Sequence, residues 1–255
     1  MKKESKSRLG QVSIFIILLV IIVAGIAMVF VFRNNSTLSK ATGSNTYSAE
    51  IGAINDMIKD CINQRAIDGI RIVGLQGGYV NLPENYLATN LTNVAYGYFM
   101  GKNILATKST MEKEISSYVE ESVPFCIETD FNNFNITKQK PVVTTKISPD
   151  FVSVLVTMPI SASKESKAFT LDKTHNNVIS VRLGKMIDVA TKIINREIAE
   201  PNYIPLSYLD GVDYNVLVIP SDNELIYAIV DVSNNSKNDI VPYSLLFANK
   251  FGGEK

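Results

Sequence analysis

The pattern of apolar and polar positions sets the first part of the chain apart from the rest. The stretch from Val12 to Phe32 contains no charged residue, and a polar stripe at helical period is missing from it. At about 1.5 Å of rise per residue, a helix of this length spans about 30 Å, the thickness of the hydrocarbon core of a bilayer. The pattern therefore predicts a basic flank at 1–11, a transmembrane helix at 12–32 and a polar stalk at 33–46.

Apolar residues recur at helical spacing in three segments beyond the stalk. These segments lie at about 47–75, 109–124 and 181–199. Gly77 and Gly78 can take the left-handed conformation that ends a helix, and they are predicted to end the first one. Ser109 and Glu112 have the spacing of a capping box, which predicts that Ser109 is the N-cap of the second helix. Pro124 is predicted to end that helix, so that Cys126 would lie just past it.

Strand-like runs of β-branched, aromatic and alternating residues fill most of the remaining chain. They are 94–100, 142–147, 151–157, 167–171, 214–219, 224–231 and 242–248. The turn residues 148–150 join two of them into a hairpin, and the aromatic side of 94–100 could face the core or form a ligand platform. The expected fold class is α+β, with an ectodomain of amphipathic helices and a mainly antiparallel sheet. We expect a mostly helical subdomain at 47–130, containing both cysteines, and an α+β sheet subdomain at 131–255.

The charges beside the apolar stretch predict its orientation. The first residues, MKKESKSRLG, are strongly basic, whereas only Arg33 follows the stretch directly. Short positive flanks stay in the cytoplasm, so the N-terminus is expected inside the cell membrane and the C-terminal domain outside. The glycosylation sequons agree, since all lie on the expected outer side. Their acceptors are Asn34, Asn35, Asn90, Asn135 and Asn234.

Both cysteines of the chain, Cys61 and Cys126, lie on the same expected outer side. An oxidising compartment favours a disulfide between them. Two buried free thiols are the first alternative. A catalytic cysteine is the second, and it would need the single histidine, His175, as its base.

The residues just before the apolar stretch resemble a known processing signal. Gly10, Gln11 and Ser13 belong to a GQVS segment that follows a basic stretch, and this resembles the class III signal of archaeal type IV pilin-like proteins. The layout also resembles uncharacterised archaeal single-pass membrane proteins with such a segment. The resemblance implies cleavage before Gln11 and packing of the apolar helix in a filament core. Phe15 stands where that family usually has Glu. A cleaved secretory signal peptide is a further alternative, although the apolar run is long for one.

Charge and motifs reduce the range of possible activities. Lys plus Arg equals Asp plus Glu at 25 each, so nothing in the charge favours nucleic acid as a partner. GxSxG and HExxH are absent. The acid pairs Asp210/Asp213 and Asp222/Glu224 flank turns and could bind calcium, but they lack the EF-hand pattern. His175 lies in a polar segment and is expected at a surface turn. No catalytic, metal or cofactor-binding residue is predicted, and no cofactor is expected.

The leading hypothesis is a single-pass protein anchored in the lipid bilayer, with an extracellular domain for binding, adhesion or surface structure. Its partners would be other surface proteins or further copies of itself. A pilin-like filament subunit processed before Gln11 is the alternative, and a membrane-tethered hydrolase is the second alternative.

Overall fold

A computed structural model describes residues 45–200, 203–221, 224–233 and 242–252. The segment 12–32 lies outside these ranges, and within them no helix is both long and apolar enough to cross a bilayer. The chain divides into two compact units, Met1–Glu50 and Ile51–Lys255. All contacts described below lie within the second unit.

The described residues form an α+β fold. The helices are α1 Asn45–Leu75, α2 Lys108–Cys126, α3 Leu183–Ala199 and the short α4 Leu206–Leu209. The first strands are β1 Tyr86–Leu87, β2 Val94–Phe99, β3 Lys102–Asn103, β4 Asp130–Phe131, β5 Phe134–Lys138, β6 Val142–Ile147 and β7 Phe151–Thr157. The remaining strands are β8 Ile160–Lys164, β9 Lys167–Thr170, β10 Thr174–Ser180, β11 Asn215–Ser221, β12 Glu224–Asp231 and β13 Tyr243–Lys250.

The strands of the described residues form three sheets, and each pairing among them is antiparallel except that between β13 and β2. The largest sheet has the order β1-β2-β13-β12-β11, with β3 on the outside of β2. The second has the order β10-β7-β6, and the third β4-β5-β8-β9. The α+β class and the mainly antiparallel pairing are confirmed. Because β2 pairs with β13, the largest sheet crosses the boundary expected near residue 130.

The core lies where α1 and α2 cover the sheets. On α1 the buried residues recur at helical spacing: Ile54, Ile58, Ile62, Ala66, Ile70 and Val73. The two helices approach closely at Gly69, where an added Cβ would lie 2.9 Å from Cδ1 of Tyr118. After Leu75, Gly77 and Gly78 take positive φ angles of 72° and 102°, and the Gly78 amide donates to the Val73 carbonyl at 2.7 Å. The predicted glycine stop is therefore confirmed.

One side of α2 takes the place of a strand along the edge of β6. The Val143 amide donates to Glu120 at 2.9 Å, the Thr145 amide to Ser116 at 3.0 Å and the Ile147 amide to Glu112 at 2.8 Å. Four helical residues rise about 6.0 Å and two strand residues about 6.6 Å, so the two spacings match. These three side chains satisfy strand amides that an edge otherwise leaves open to another chain.

Both predictions about the ends of α2 are wrong. Thr107, not Ser109, is the N-cap, and its side chain accepts from the Thr110 amide at 3.1 Å. Glu112 is consequently free to cap β6 instead of completing a capping box. The helix also continues through Pro124 to Cys126. Pro124 cannot donate to the Glu120 carbonyl, so the last turn lacks one backbone hydrogen bond. The Pro124 carbonyl, one of the last four of the helix, accepts instead from the Lys138 ammonium at 2.6 Å.

Candidate functional site

The disulfide joins the two helices that cover the core. Cys61 lies in the middle of α1 and Cys126 is the last residue of α2, and their Cα atoms are 5.8 Å apart. This distance lies in the usual range for a disulfide. The predicted pairing is confirmed at the level of geometry. Among the described residues no cysteine is free, so neither free-thiol alternative applies to this structure.

His175 is buried rather than at a surface turn, which corrects the sequence-based expectation. It belongs to β10, pairs in register with Val156 and has only 5 % of its surface exposed. A ring nitrogen, Nε2, lies 2.9 Å from the Asp172 carbonyl oxygen. Burial lowers the pKa of His175, the hydrogen bond and the charge of Asp172 partly oppose this, and the charge of Lys59 adds to the lowering. The environment therefore favours the neutral imidazole more than water does.

The most unusual polar group of the described residues is a buried carboxyl on α3. Glu197 is fully buried, and its Oε1 accepts from the Tyr227 hydroxyl at 2.5 Å. Its other oxygen accepts from the Asn249 side-chain amide, whose own oxygen accepts from the Tyr98 backbone amide at 3.1 Å. The parallel pairing of β13 with β2 shifts register between Ala248 and Asn249. The network thus connects α3 to the irregular point of the largest sheet.

The surroundings of Glu197 favour its protonated form. Burial raises the pKa of Glu197 from its ordinary 4.5 to about 7, and the hydrogen bonds from Tyr227 and Asn249 only partly oppose the rise. A carboxyl with a pKa near neutrality is often found at a functional site, but structural networks produce the same effect. Because every polar atom of this network has a partner and Glu197 has no exposed surface, we assign it a structural role.

A second polar cluster holds the start of α3. Arg182 donates to both carboxylate oxygens of Asp231, at 2.7 and 2.6 Å, and to Asp213 at 2.5 Å. Its guanidinium also lies 4.4 Å from the ring centre of Tyr214. Burial alone would raise the pKa of Asp231, but the Arg182 hydrogen bonds outweigh it and hold that pKa below its ordinary value. The bidentate Arg182–Asp231 pair holds the N-terminus of α3 against β12.

One member of each acid pair considered for calcium is already bound by the protein's own donors. Asp213 pairs with Arg182, and Glu224 accepts from the Tyr96 hydroxyl at 2.8 Å and pairs with Lys250 at 2.9 Å. Asp222 lies outside the described residues. Within the part of the chain that the structure describes, no group of three or more His, Cys, Asp or Glu side chains is placed to hold a metal ion.

The aromatic side of β2 faces the core. Tyr96 and Tyr98 are both buried, and β2 lies between β1 and β13 in the largest sheet. Of the two interpretations of this strand, the structure therefore supports core packing over a ligand platform.

The remaining predicted positions divide between described and undescribed residues. Asn90, in the β1–β2 loop, and Asn135, on β5, are exposed as a glycan acceptor must be. The other sequon positions, Asn34, Asn35 and Asn234, lie outside the described residues. So do the signal positions Gly10, Gln11 and Ser13.

Sequence reasoning missed Glu197, Arg182 and Asp231. The one available signal was the position of Glu197, three residues after the buried Ile194, on the apolar side of α3. In the described residues we find two core helices joined by a disulfide and no constellation of nucleophile, base and oriented partner. No family model matches the chain, and no curated protein or solved structure matches it significantly.

Proposed function

We propose that the protein is a single-pass, membrane-anchored surface protein whose C-terminal domain faces outward and acts as a binding, adhesion or structural module. The uncharged stretch Val12–Phe32 would be its anchor, and the basic residues before it would hold the N-terminus in the cytoplasm.

The observation that carries this proposal is the Cys61–Cys126 pair, whose Cα atoms lie 5.8 Å apart. Stable disulfides form and persist mainly in oxidising compartments such as the cell exterior. The exposed sequon residues Asn90 and Asn135 support the same placement. A structural or binding role is favoured over a tethered hydrolase because the polar groups with shifted pKa values are committed to the scaffold.

Protease treatment of intact cells tests the placement. The full chain is expressed with an epitope tag after Lys255, and protease is added outside the cells. We expect the tag to be lost from intact cells while a cytoplasmic marker protein survives. A tag that disappears only after the cells are lysed would contradict the proposal.

A pilin-like filament subunit is the second candidate, and the GQVS segment beginning at Gly10 is the observation that favours it. N-terminal sequencing of the mature protein separates the two candidates. A start at Gln11 would favour the filament subunit, whereas a start at Met1 would exclude pilin-type processing. Phe15 at the usual Glu position argues against ordinary subunit registration.

A further inference from the structure

Strand β11, Asn215–Ser221, is apolar without being covered. Its central residues are Val216, Leu217, Val218 and Ile219, and yet none of the seven residues of the strand is buried. Leu217 is 55 % exposed and Ile219 47 % exposed. Neighbouring β12, by contrast, buries most of its residues. The strand thus extends the largest sheet with Val216 and Val218 only half-buried and the opposite face exposed.

The free edge of β11 carries a defined row of hydrogen-bonding groups. β11 pairs with β12 from Asn215 opposite Val230 to Ser221 opposite Glu224, and in the described residues it pairs with no other strand. Pro220 has no amide hydrogen, so it must occupy a position that does not bond to β12. Since such positions alternate along an antiparallel pair, the amides and carbonyls of Val216 and Val218 point away from the sheet.

Apart from Pro220, which lies near the end of the strand and has no amide hydrogen, nothing in the sequence of this edge opposes pairing with another strand. Tyr214 to Ser221 contains no charged residue, whereas protected edges commonly carry lysine or another charge. The edge of β6 shows how this fold closes an edge, since Glu112, Ser116 and Glu120 cap its amides. No comparable caps reach Val216 or Val218 among the described residues.

We propose that β11 pairs antiparallel with β11 of a second copy of the chain, about a two-fold axis at Leu217, and so joins the two largest sheets into one. A neutral strand can pair with itself without like-charge repulsion, which favours a second copy as the occupant. With the axis at Leu217, Val216 pairs with Val218 of the second copy in both halves, and Pro220 falls at the end of the ladder. The two Leu217 side chains then meet directly. This pairing goes beyond the proposed function and does not depend on it.

Cysteine cross-linking of the full chain in detergent tests the pairing. The native cysteines are bonded to each other, so an added cysteine is a free thiol. Directly opposed residues at a non-hydrogen-bonded position have Cα atoms about 4.5 Å apart, within reach of a disulfide. We expect Leu217→Cys to form a reducible dimer in high yield under mild oxidation. Val232→Cys, which is similarly exposed at 51 %, should remain almost entirely monomeric. A monomeric Leu217→Cys protein would overturn the proposal.

The register gives a second test that leaves the backbone unchanged. Residue 215 should lie opposite residue 219 of the second copy. Mixing Asn215→Cys protein with Ile219→Cys protein should therefore give cross-linked heterodimers, while each variant alone cross-links weakly. Failure of the mixture to cross-link, or equal cross-linking of each variant alone, would overturn the two-fold register.

The double variant Leu217→Cys/Val218→Pro tests whether the two copies pair through backbone hydrogen bonds of β11. The new proline removes an amide that points away from β12, so the internal ladder is kept while the pairing between copies loses a donor. Cross-linking should fall several-fold, and Leu217→Cys/Val218→Thr should retain it as the matched control. Undiminished cross-linking of a folded proline variant would contradict the proposed pairing.

Discussion

Replacing Glu197 with glutamine should make the protein more stable at alkaline pH. In the fold, Asn249 donates to one carboxyl oxygen of Glu197 and the Tyr227 hydroxyl contacts the other at 2.5 Å. A glutamine can accept from Asn249 with its oxygen and donate to the Tyr227 oxygen with its amide nitrogen, so both contacts stay hydrogen-bonded although the bond to Tyr227 reverses its direction. The variant therefore keeps the shape and the hydrogen bonds of the protonated acid but cannot ionise.

The size of the expected change in the free energy of unfolding follows from the raised pKa of Glu197, which is about 7 in the fold and ordinarily 4.5. A group whose pKa is raised on folding contributes stability that is fully present below the unfolded pKa and is lost as pH rises through the folded pKa. Between about pH 5 and pH 8, linkage gives a loss of about 2.5 kcal/mol from this residue. Glu197→Gln should lack that loss.

The assay is urea unfolding at several pH values for both proteins, followed by far-UV circular dichroism because the chain contains no tryptophan. The lowered pKa of His175 has the opposite sign: its contribution to stability rises as pH increases towards the ordinary pKa of about 6.5 and is complete above it. Both proteins share this contribution, so it cancels in the difference. The stability difference should grow by about 2.5 kcal/mol in favour of the variant from pH 5 to pH 8. A difference that stays constant with pH, or that favours the wild type at pH 8, would refute the argument.

Three other substitutions test the scaffold. Replacing Cys61 and Cys126 with serine should lower the free energy of unfolding by about 4 kcal/mol, since the bridge closes a loop with a sequence separation of 65 residues; denaturant unfolding that matches the wild type would argue against a formed bridge. Glu120→Ala should lower the free energy of unfolding by about 1 kcal/mol, because the Val143 amide loses its acceptor. The control Glu121→Ala, at an exposed neighbouring residue, should change it by less than about 0.5 kcal/mol. Equal effects of the two variants would argue against a capping role for Glu120. Arg182→Lys should cost about 2 kcal/mol because lysine cannot bond both oxygens of the buried Asp231, and a thermal melt identical to the wild type would contradict this.

Local patterns predicted those elements whose burial follows a simple period. Val152, Val154 and Val156 alternate with exposed positions on β7, and all three are buried as the alternation requires. The run 224–231 coincides with β12, and the glycine stop after α1 depends on only two residues. In these places the sequence pattern and the tertiary environment demand the same structure.

Prediction failed where distant segments decide the structure. The polar segment Ser161 to Ser166 belongs to none of the predicted strands, yet part of it forms β8 because β5 and β9 lie on either side and pair with it. The polar segment around His175 becomes β10 for a similar reason, through pairing with β7. The capping of β6 by α2 depends on a match between helix and strand spacing that no single segment reveals.

The buried polar networks were beyond sequence reasoning for a related reason. Glu197 and Asp231 are acidic residues, a type that is usually found at the surface. Their burial is compensated by hydrogen bonds to partners far along the chain, which the local sequence does not reveal. The disulfide was predictable because its argument required only the compartment and two cysteines.

Our proposal requires the C-terminal domain to lie outside the cell membrane, and paired reporter fusions measure on which side it lies. Alkaline phosphatase, active only outside the cytoplasm, and a fluorescent protein that matures only inside are each fused after Lys255 of the full chain. A version without residues 12–32 serves as the control. We expect phosphatase activity without fluorescence for the full chain and the reverse for the control. Fluorescence without phosphatase activity from the full chain would contradict the account.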